Sequence, residues 1–281
     1  PYFLPIGDRH IMIHYSHLSG AKYAIGDFDK KREKFVITDG GNFTFGPARP
    51  AAVHAPSATP DGKGGIIAIF DIYSGRSATL PRRLTLAEDD PLTNLYIEPA
   101  ANIETLRYDH RHVDAMTLPA NQDIMLDNVG GNALEIIAEI DPKGASIVEL
   151  DLLCSPNKEE VTRIMFFKKR GFRYQEFGRG TVNSKKYRSV ISIDTSRSST
   201  LGNVSLRPPE TAELYIAPDE PLKLRVFIDK SIVEVFVNNK QCVTAQVYPG
   251  RKDAVNVSLR AQGQDAHLNY LDAWKIKNIY E

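Results

Sequence analysis

Cysteine is scarce in this chain: two residues in 281, Cys154 and Cys242. Two thiols without Cys-x-x-Cys spacing make neither a disulfide framework nor a metal or redox motif, so buried free thiols are expected. Long apolar runs are missing as well. The longest, Ile66–Phe70, falls far short of the ~20 residues of a membrane-crossing helix. Excess charge of either sign is absent, with 35 Lys and Arg against 35 Asp and Glu. That balance, with no basic run interleaved with aromatics, argues against nucleic acid or an anionic membrane as the main partner. Nucleophile motifs are lacking too. No Gly-x-Ser-x-Gly occurs, and Asp61-Gly-Lys-Gly-Gly lacks the spacing of a phosphate loop and leads into a strand, not a helix.

Long helical periodicity is also sparse. What is present is a 42% apolar composition, enough for sizeable cores in two domains, distributed as short β-branched and aromatic runs between Gly, Pro, Asp and Asn clusters. That pattern predicts many antiparallel strands. Arg9–Tyr15, Lys22–Asp27, Lys34–Thr38 and Gly65–Tyr73 are early strands whose turns suit propeller blades or a sandwich. Residues 85–122 carry Pro91, Pro99, Pro119 and the run Glu88-Asp89-Asp90, and are expected to be a connector with one short helix near Ile103–Arg107. Strands return at Asn132–Asp141, Ser146–Cys154 and Ser189–Asp194. Asn157–Arg170 fits a helix face or a strand, with strand favoured. The clearest alternation lies in Leu222–Asp229, where Leu222, Leu224, Val226 and Ile228 share one face. With Ser231–Val237 and Cys242–Tyr248 it predicts a two-layer β-sandwich.

Sugar hydrolysis uses two carboxylates, ~5–5.5 Å apart in retaining enzymes and ~6.5–9.5 Å in inverting ones. Asp229 and Glu234 flank a turn and fit such a pair, but architectural strand-end roles are the expectation. Asp27 and Asp29 share one face at a strand end and read as turn formers. Asp39, in a Gly-rich turn, is either a turn former or an acceptor for sugar hydroxyls. His14 and His17 fall on opposite faces of a strand, whereas His110 and His112 share one. Two histidines fall short of a zinc site, so no metal is expected. His54 stands alone in Val53-His-Ala-Pro-Ser.

Several of these stretches together resemble glycoside hydrolase family 32, the invertase, inulinase and levanase family. Pro1-Tyr-Phe-Leu-Pro-Ile-Gly-Asp resembles the segment after that family's Glu-Cys-Pro motif, and Tyr23-Ala-Ile-Gly-Asp-Phe-Asp the strand beside it. Asp39-Gly-Gly-Asn, His54-Ala-Pro-Ser and the run from Asp61 to Phe70 are similar to its Asp-x-Gly, Tyr-Ala-Pro and Gly-Trp block. Leu80-Pro-Arg-Arg-Leu-Thr-Leu is similar to its Leu-Pro-Arg-Glu-Leu-x-Leu. The stretch from Arg225 to Asn238 resembles the signature of its C-terminal sandwich, and the stretch from Asp272 to Tyr280 its usual ending. The matches keep the family's order from one end of the sequence to the other.

The resemblance implies an all-β fold: the C-terminal blades of a five-bladed β-propeller (residues 1–84), then the connector (85–122) and the β-sandwich (123–281). It implies a retaining hydrolase of terminal β-fructosides, of sucrose, inulin or levan type, that works through a fructosyl-aspartate intermediate and needs no cofactor. The family's nucleophile lies in an Asn-Asp-Pro motif, its stabiliser in Arg-Asp-Pro and its acid in Glu-Cys-Pro. None of the three motifs occurs here, so the sequence is expected to be a C-terminal portion that is inactive alone and is covered by an N-terminal propeller segment, in the same or a separate chain. Asp39, His54 and Phe70 are the substrate-side residues it implies. This sequence departs from the family at three of the quoted positions: His54 replaces Tyr, Phe70 replaces Trp and Arg83 replaces Glu. Phe70 could face a sugar or sit in the core. The alternative is a non-catalytic carbohydrate-binding or stabilising module that uses a sandwich face of Arg225, Phe227, Val233 and Val235.

Overall fold

Alternating apolar and polar side chains place one face of a strand in a core, and this chain is built almost entirely that way. The computed structural model describes residues 1–47, 53–72, 77–90, 92–169, 188–205 and 207–279. Strands β1 (Tyr2–Ile6), β2 (Arg9–Ser16), β3 (Gly20–Asp29) and β4 (Lys34–Asn42) form the first sheet, in sequence order and antiparallel. Strands β5 (Val53–Pro60), β6 (Ile66–Ile72), β7 (Ser77–Ala78), β8 (Arg82–Leu86) and β9 (Leu95–Pro99) form the second, ordered β5-β6-β8-β9 with β7 also on β6. Both have the meander form of a propeller blade. Tyr73, the last residue of one expected strand, lies outside the described residues, as do Pro91, Arg170 and Tyr280.

A 3-10 turn, Ile103–Leu106, leads into the sandwich. One layer contains β10 (Arg107–Val113), β11 (Met116–Leu118), β13 (Ala133–Asp141), β18 (Leu222–Asp229), β19 (Ile232–Val237), β20 (Gln241–Gln246) and β22 (Ala266–Ile276). Its order is β10-β22-β13-β18-β19-β20, with β11 also on β22. The other layer contains β12 (Asp123–Gly130), β14 (Ile147–Cys154), β15 (Thr162–Phe167), β16 (Ser189–Asp194), β17 (Glu210–Leu214) and β21 (Asn256–Gln262), ordered β12-β21-β14-β15-β16-β17. The strand favoured within 157–170 is β15, and the short helix expected near Ile103 is the 3-10 turn.

The stretch 85–122 differs from the expected connector. Thr85 and Leu86 end β8, β9 completes the second sheet, and β10 and β11 already belong to the sandwich. The change from one unit to the next therefore falls at Ile103–Leu106. Pro99 sits at the last position of β9, where a missing N–H is tolerated. In β10 the register breaks between Tyr108 and Arg111, which hides the alternation from a sequence reading.

Two cores follow. Val226 pairs with Val235 and Val235 with Val243, so Leu222, Leu224, Val226, Val233, Val235 and Val243 all point between the sandwich layers. The opposite face of the same strands carries Phe227, Phe236 and Cys242. These join Ile11, Ile25, Ile66, Phe70 and Leu84 of the first two sheets in a second core.

Candidate functional site

The face shared by the first two sheets collects the sequence-derived candidates. Asp39 lies in β4 rather than in a turn, because the strand continues through Gly40 and Gly41. A Cβ on Gly41 would lie 2.6–2.7 Å from the Tyr23 ring, so only glycine lets β4 run flush over that side chain. The Asp39 carboxylate accepts from the Thr38 hydroxyl at 2.7 Å and lies 3.5 Å from Arg9 Nη1. Arg9 also reaches Asp27 Oδ1 at 3.4 Å and donates to Thr38 Oγ1. The Asp39 side chain remains 41% exposed. Tyr23 has its phenol pushed above the usual value, chiefly by burial, with the Asp39 charge adding to the rise and a hydrogen bond to Asn94 opposing it. Asn94 donates to Gly40 O at 3.2 Å, which ties the segment before β9 to β4.

His54, the second residue of β5, is buried and meets His17 across the two sheets, Nε2 to Nδ1 at 3.1 Å. The Tyr15 ring lies edge-on to it with centroids 4.5 Å apart. Asp39 and His54 thus sit in two separate clusters, one around Arg9 and one around His17. Phe70 is fully buried and belongs to the core, in contact with Phe43 at 4.7 Å between centroids. Its ring faces no solvent from which a sugar could approach.

Beneath Phe70 lies a residue that the sequence reading passed over. Arg82 is fully buried, its guanidinium 5.4 Å from the Phe70 centroid and 5.9 Å from that of Phe236. It donates at 2.6 Å to Glu234 Oε2 and at 2.6 Å to Thr244 Oγ1 on the sandwich. Glu234 also accepts from the Leu80 N–H. The expected architectural role of Glu234 is therefore this joint between sheets, and Asp229 is an exposed strand-end residue. The signal was available: Arg82 shares strand parity with the buried Leu84, where a charge requires a partner. Arg83, which drew notice instead, pairs with Asp61 at 2.7 Å.

The other candidates divide clearly. Asp29 accepts from the Lys31 and Arg32 N–H groups and shapes a turn, as expected. His110 and His112 share Asp272 Oδ1, at 2.7 and 2.8 Å. Among the described residues no group of three or more His, Cys, Asp or Glu could hold a metal ion. Burial pushes both thiols up to about 12, so Cys154 and Cys242 are inert. The sandwich face expected from Arg225, Phe227, Val233 and Val235 does not form. The register sends the two valines into the sandwich core, while Phe227 lies under the first two sheets and Arg225 is engaged by Glu135 and Glu104.

Comparison with known proteins places this geometry. The family model described as "Glycosyl hydrolases family 32 C terminal" matches residues 102–275. An insoluble isoenzyme of beta-fructofuranosidase from Arabidopsis thaliana is 36% identical over 133 residues, 46% of this chain and 22% of that protein. Levanase from Bacillus subtilis is 28% identical over 211 residues, 73% of this chain and 28% of that protein. The chain thus spans less than a third of the length of either relative. Among solved structures, fructan 1-exohydrolase IIa from Cichorium intybus superposes with a TM-score of 0.78 at 19% identity, covering 99% of this chain and 60% of that one. A further structure of that enzyme is a complex with 1-kestose. Exo-inulinase from Aspergillus awamori gives 0.68 at 17% identity, covering 99% and 56%.

Proposed function

The chain belongs to glycosyl hydrolase family 32, and on that premise we propose that it is the C-terminal portion of a retaining hydrolase of terminal β-fructosides of sucrose, inulin or levan type. The observation that carries this reading is the likeness along 99% of the chain, which includes both N-terminal sheets as well as the sandwich. In this reading the first two sheets are the last blades of a five-bladed propeller. The nucleophile and the acid/base carboxylate come from an N-terminal segment, in the same or a separate polypeptide. Asp39 and His54 act on the substrate side, Asp39 as an acceptor for sugar hydroxyls and His54 as an imidazole wall next to Tyr15. Phe70 contributes from the core, packed against Phe43 rather than against the substrate.

Support for a covering segment comes from the outward face of the first sheet. Phe3 and Phe28 are 47% and 42% exposed, and Phe3 makes edge contacts with both Phe28 and Phe35. An aromatic cluster of this kind suits another β-sheet packed face to face. The test is hydrolysis of sucrose, inulin and levan by the 281-residue chain alone and after mixing with an N-terminal propeller segment. Turnover is expected only in the mixture, because losing a member of a catalytic pair removes most of the rate. Clear turnover by the chain alone would overturn the reading. Asp39→Ala is then expected to raise KM in the reconstituted enzyme.

The second reading, a non-catalytic module, draws on the sandwich's use of its outer face to hold the second sheet through Phe227, Phe236 and Glu234. A stabilising role and membership of a hydrolase are compatible. Calorimetry of the chain with fructo-oligosaccharides, in the absence of any N-terminal segment, separates a binding module from a purely structural one.

A further inference from the structure

A cavity of about 340 Å³ opens at the edge of the sandwich, beside His110 and away from Asp39, His54 and Phe70. Two edge strands, one from each layer, are bulged along its lining. β10 loses register between Tyr108 and Arg111, with Asp109 at φ 52°. β12 loses register between Met125 and Gly130, with Asn128 at φ 61°. Bulges bend a strand and re-aim its side chains, and they are over-represented beside functional sites. Here they keep the two layers from closing on each other.

The lining has a definite chemistry. Asp109 and Asp127 are balanced by Arg111 and Lys275, so the cavity favours neither an anion nor a cation. Asp109 is held by Lys275 at 2.7 Å and Arg111 at 2.8 Å, and this pairing keeps its carboxyl below the usual range. The carboxylates, the guanidinium and the ammonium, with the Asn128 side chain, offer donors and acceptors side by side, as vicinal hydroxyls require. The apolar part of the lining includes Met125, Leu126, Val129, Leu134 and Trp274. The indole is rigid, stacked on His110 at 4.8 Å and 14° and covered on its other face by the Arg107 guanidinium at 4.1 Å. The volume falls at the lower end of the ~300–1,000 Å³ usual for small-molecule sites.

We propose that this cavity is a carbohydrate-binding site separate from the Asp39 and His54 face, taking one or two rings of a neutral saccharide. Hydroxyls bridge Asp109, Arg111, Asn128 and Lys275, while a C–H face rests against Met125 and the edge of Trp274. The inference depends on the cavity alone and holds whether or not the chain completes a fructosidase.

The test uses the 281-residue chain with ¹³C-methyl methionine. Of its four methionines, Met125 lines the cavity, while Met12, Met116 and Met165 do not and serve as references. The chain is titrated with 1-kestose, sucrose and maltotriose, and with inorganic phosphate as the anionic control. At least one saccharide is expected to shift Met125 saturably and leave the references still, with no effect of phosphate. Asn128→Gly keeps the left-handed backbone and removes the amide; it is expected to weaken binding roughly tenfold, the equivalent of ~1.4 kcal/mol. Unchanged reference signals verify its fold, and Lys275→Ala is the second variant. The proposal fails if Met125 is unmoved by all three sugars, if phosphate moves it and sugars do not, if only Met12 responds, or if neither variant weakens the effect.

Discussion

Glu234 and Arg82 are each tolerable in the interior only because of the other, the arginine being fully buried and the glutamate almost so. Glu234→Ala leaves a guanidinium without its counter-charge, at an expected cost of about 3–5 kcal/mol in urea unfolding. Arg82→Met combined with Glu234→Leu is expected to cost clearly less than either single change, since Phe70 and Phe236 already make the surroundings apolar. Glu160 is a buried carboxylate of another kind. It accepts from the Thr200, Gly250 and Arg251 N–H groups and from the Thr200 hydroxyl, and so holds three loops together. Burial alone would raise its pKa, but these donors outweigh that and keep it below the usual glutamate value. A folded value below the unfolded one means that Glu160 contributes stability above the unfolded pKa, ~4.3. The contribution disappears as pH falls through the folded value. Glu160→Gln is therefore expected to cost about 1–3 kcal/mol at neutral pH and to flatten the acid limb of the stability curve, read as Tm between acid and neutral pH. Arg82 and Glu160 did not stand out in the sequence, and Glu234 did so only as a possible partner of Asp229, because a buried charge is recognised by its partner and Glu234 is 152 positions from Arg82.

The strands illustrate which elements local pattern can reveal. β18, β19 and β20 were legible because their alternation is local and unbroken; every core residue expected on β18 is buried. β10 and β12 were not legible, because each carries a bulge that swaps faces midway. β4 ran further than expected, since Gly40 and Gly41 look like a turn but serve a close crossing over Tyr23. Gly41→Ala drives a Cβ into the Tyr23 ring and is expected to destabilise by about 1–3 kcal/mol, the usual range for overpacking. Gly202→Ala, where a Cβ would meet nothing within 4 Å, is the control and is expected to leave the unfolding midpoint nearly unchanged.

At the scale of the whole molecule, the two N-terminal sheets and the sandwich share a core, and Phe3 and Phe28 lie on the sheet face turned away from it. Phe3→Ser with Phe28→Ser is expected to reduce self-association of the chain in light scattering and to weaken its capture of an N-terminal propeller segment. A double variant that captures the segment as well as the parent would remove that face from the interface. The sequence by itself determined the all-β character, the alternation of the sandwich strands and the ordered motifs that resemble one hydrolase family, since all of these are written in neighbouring residues. Only the tertiary structure decided that Phe70 is core, that Glu234 joins the sandwich to the second sheet, that strands of both the second sheet and the sandwich run through 85–122 and that a cavity opens between two bulged edges. Those outcomes depend on which strands pair and which faces meet. Contacts between residues more than a hundred positions apart set that pairing, and the pattern along any one segment does not encode it.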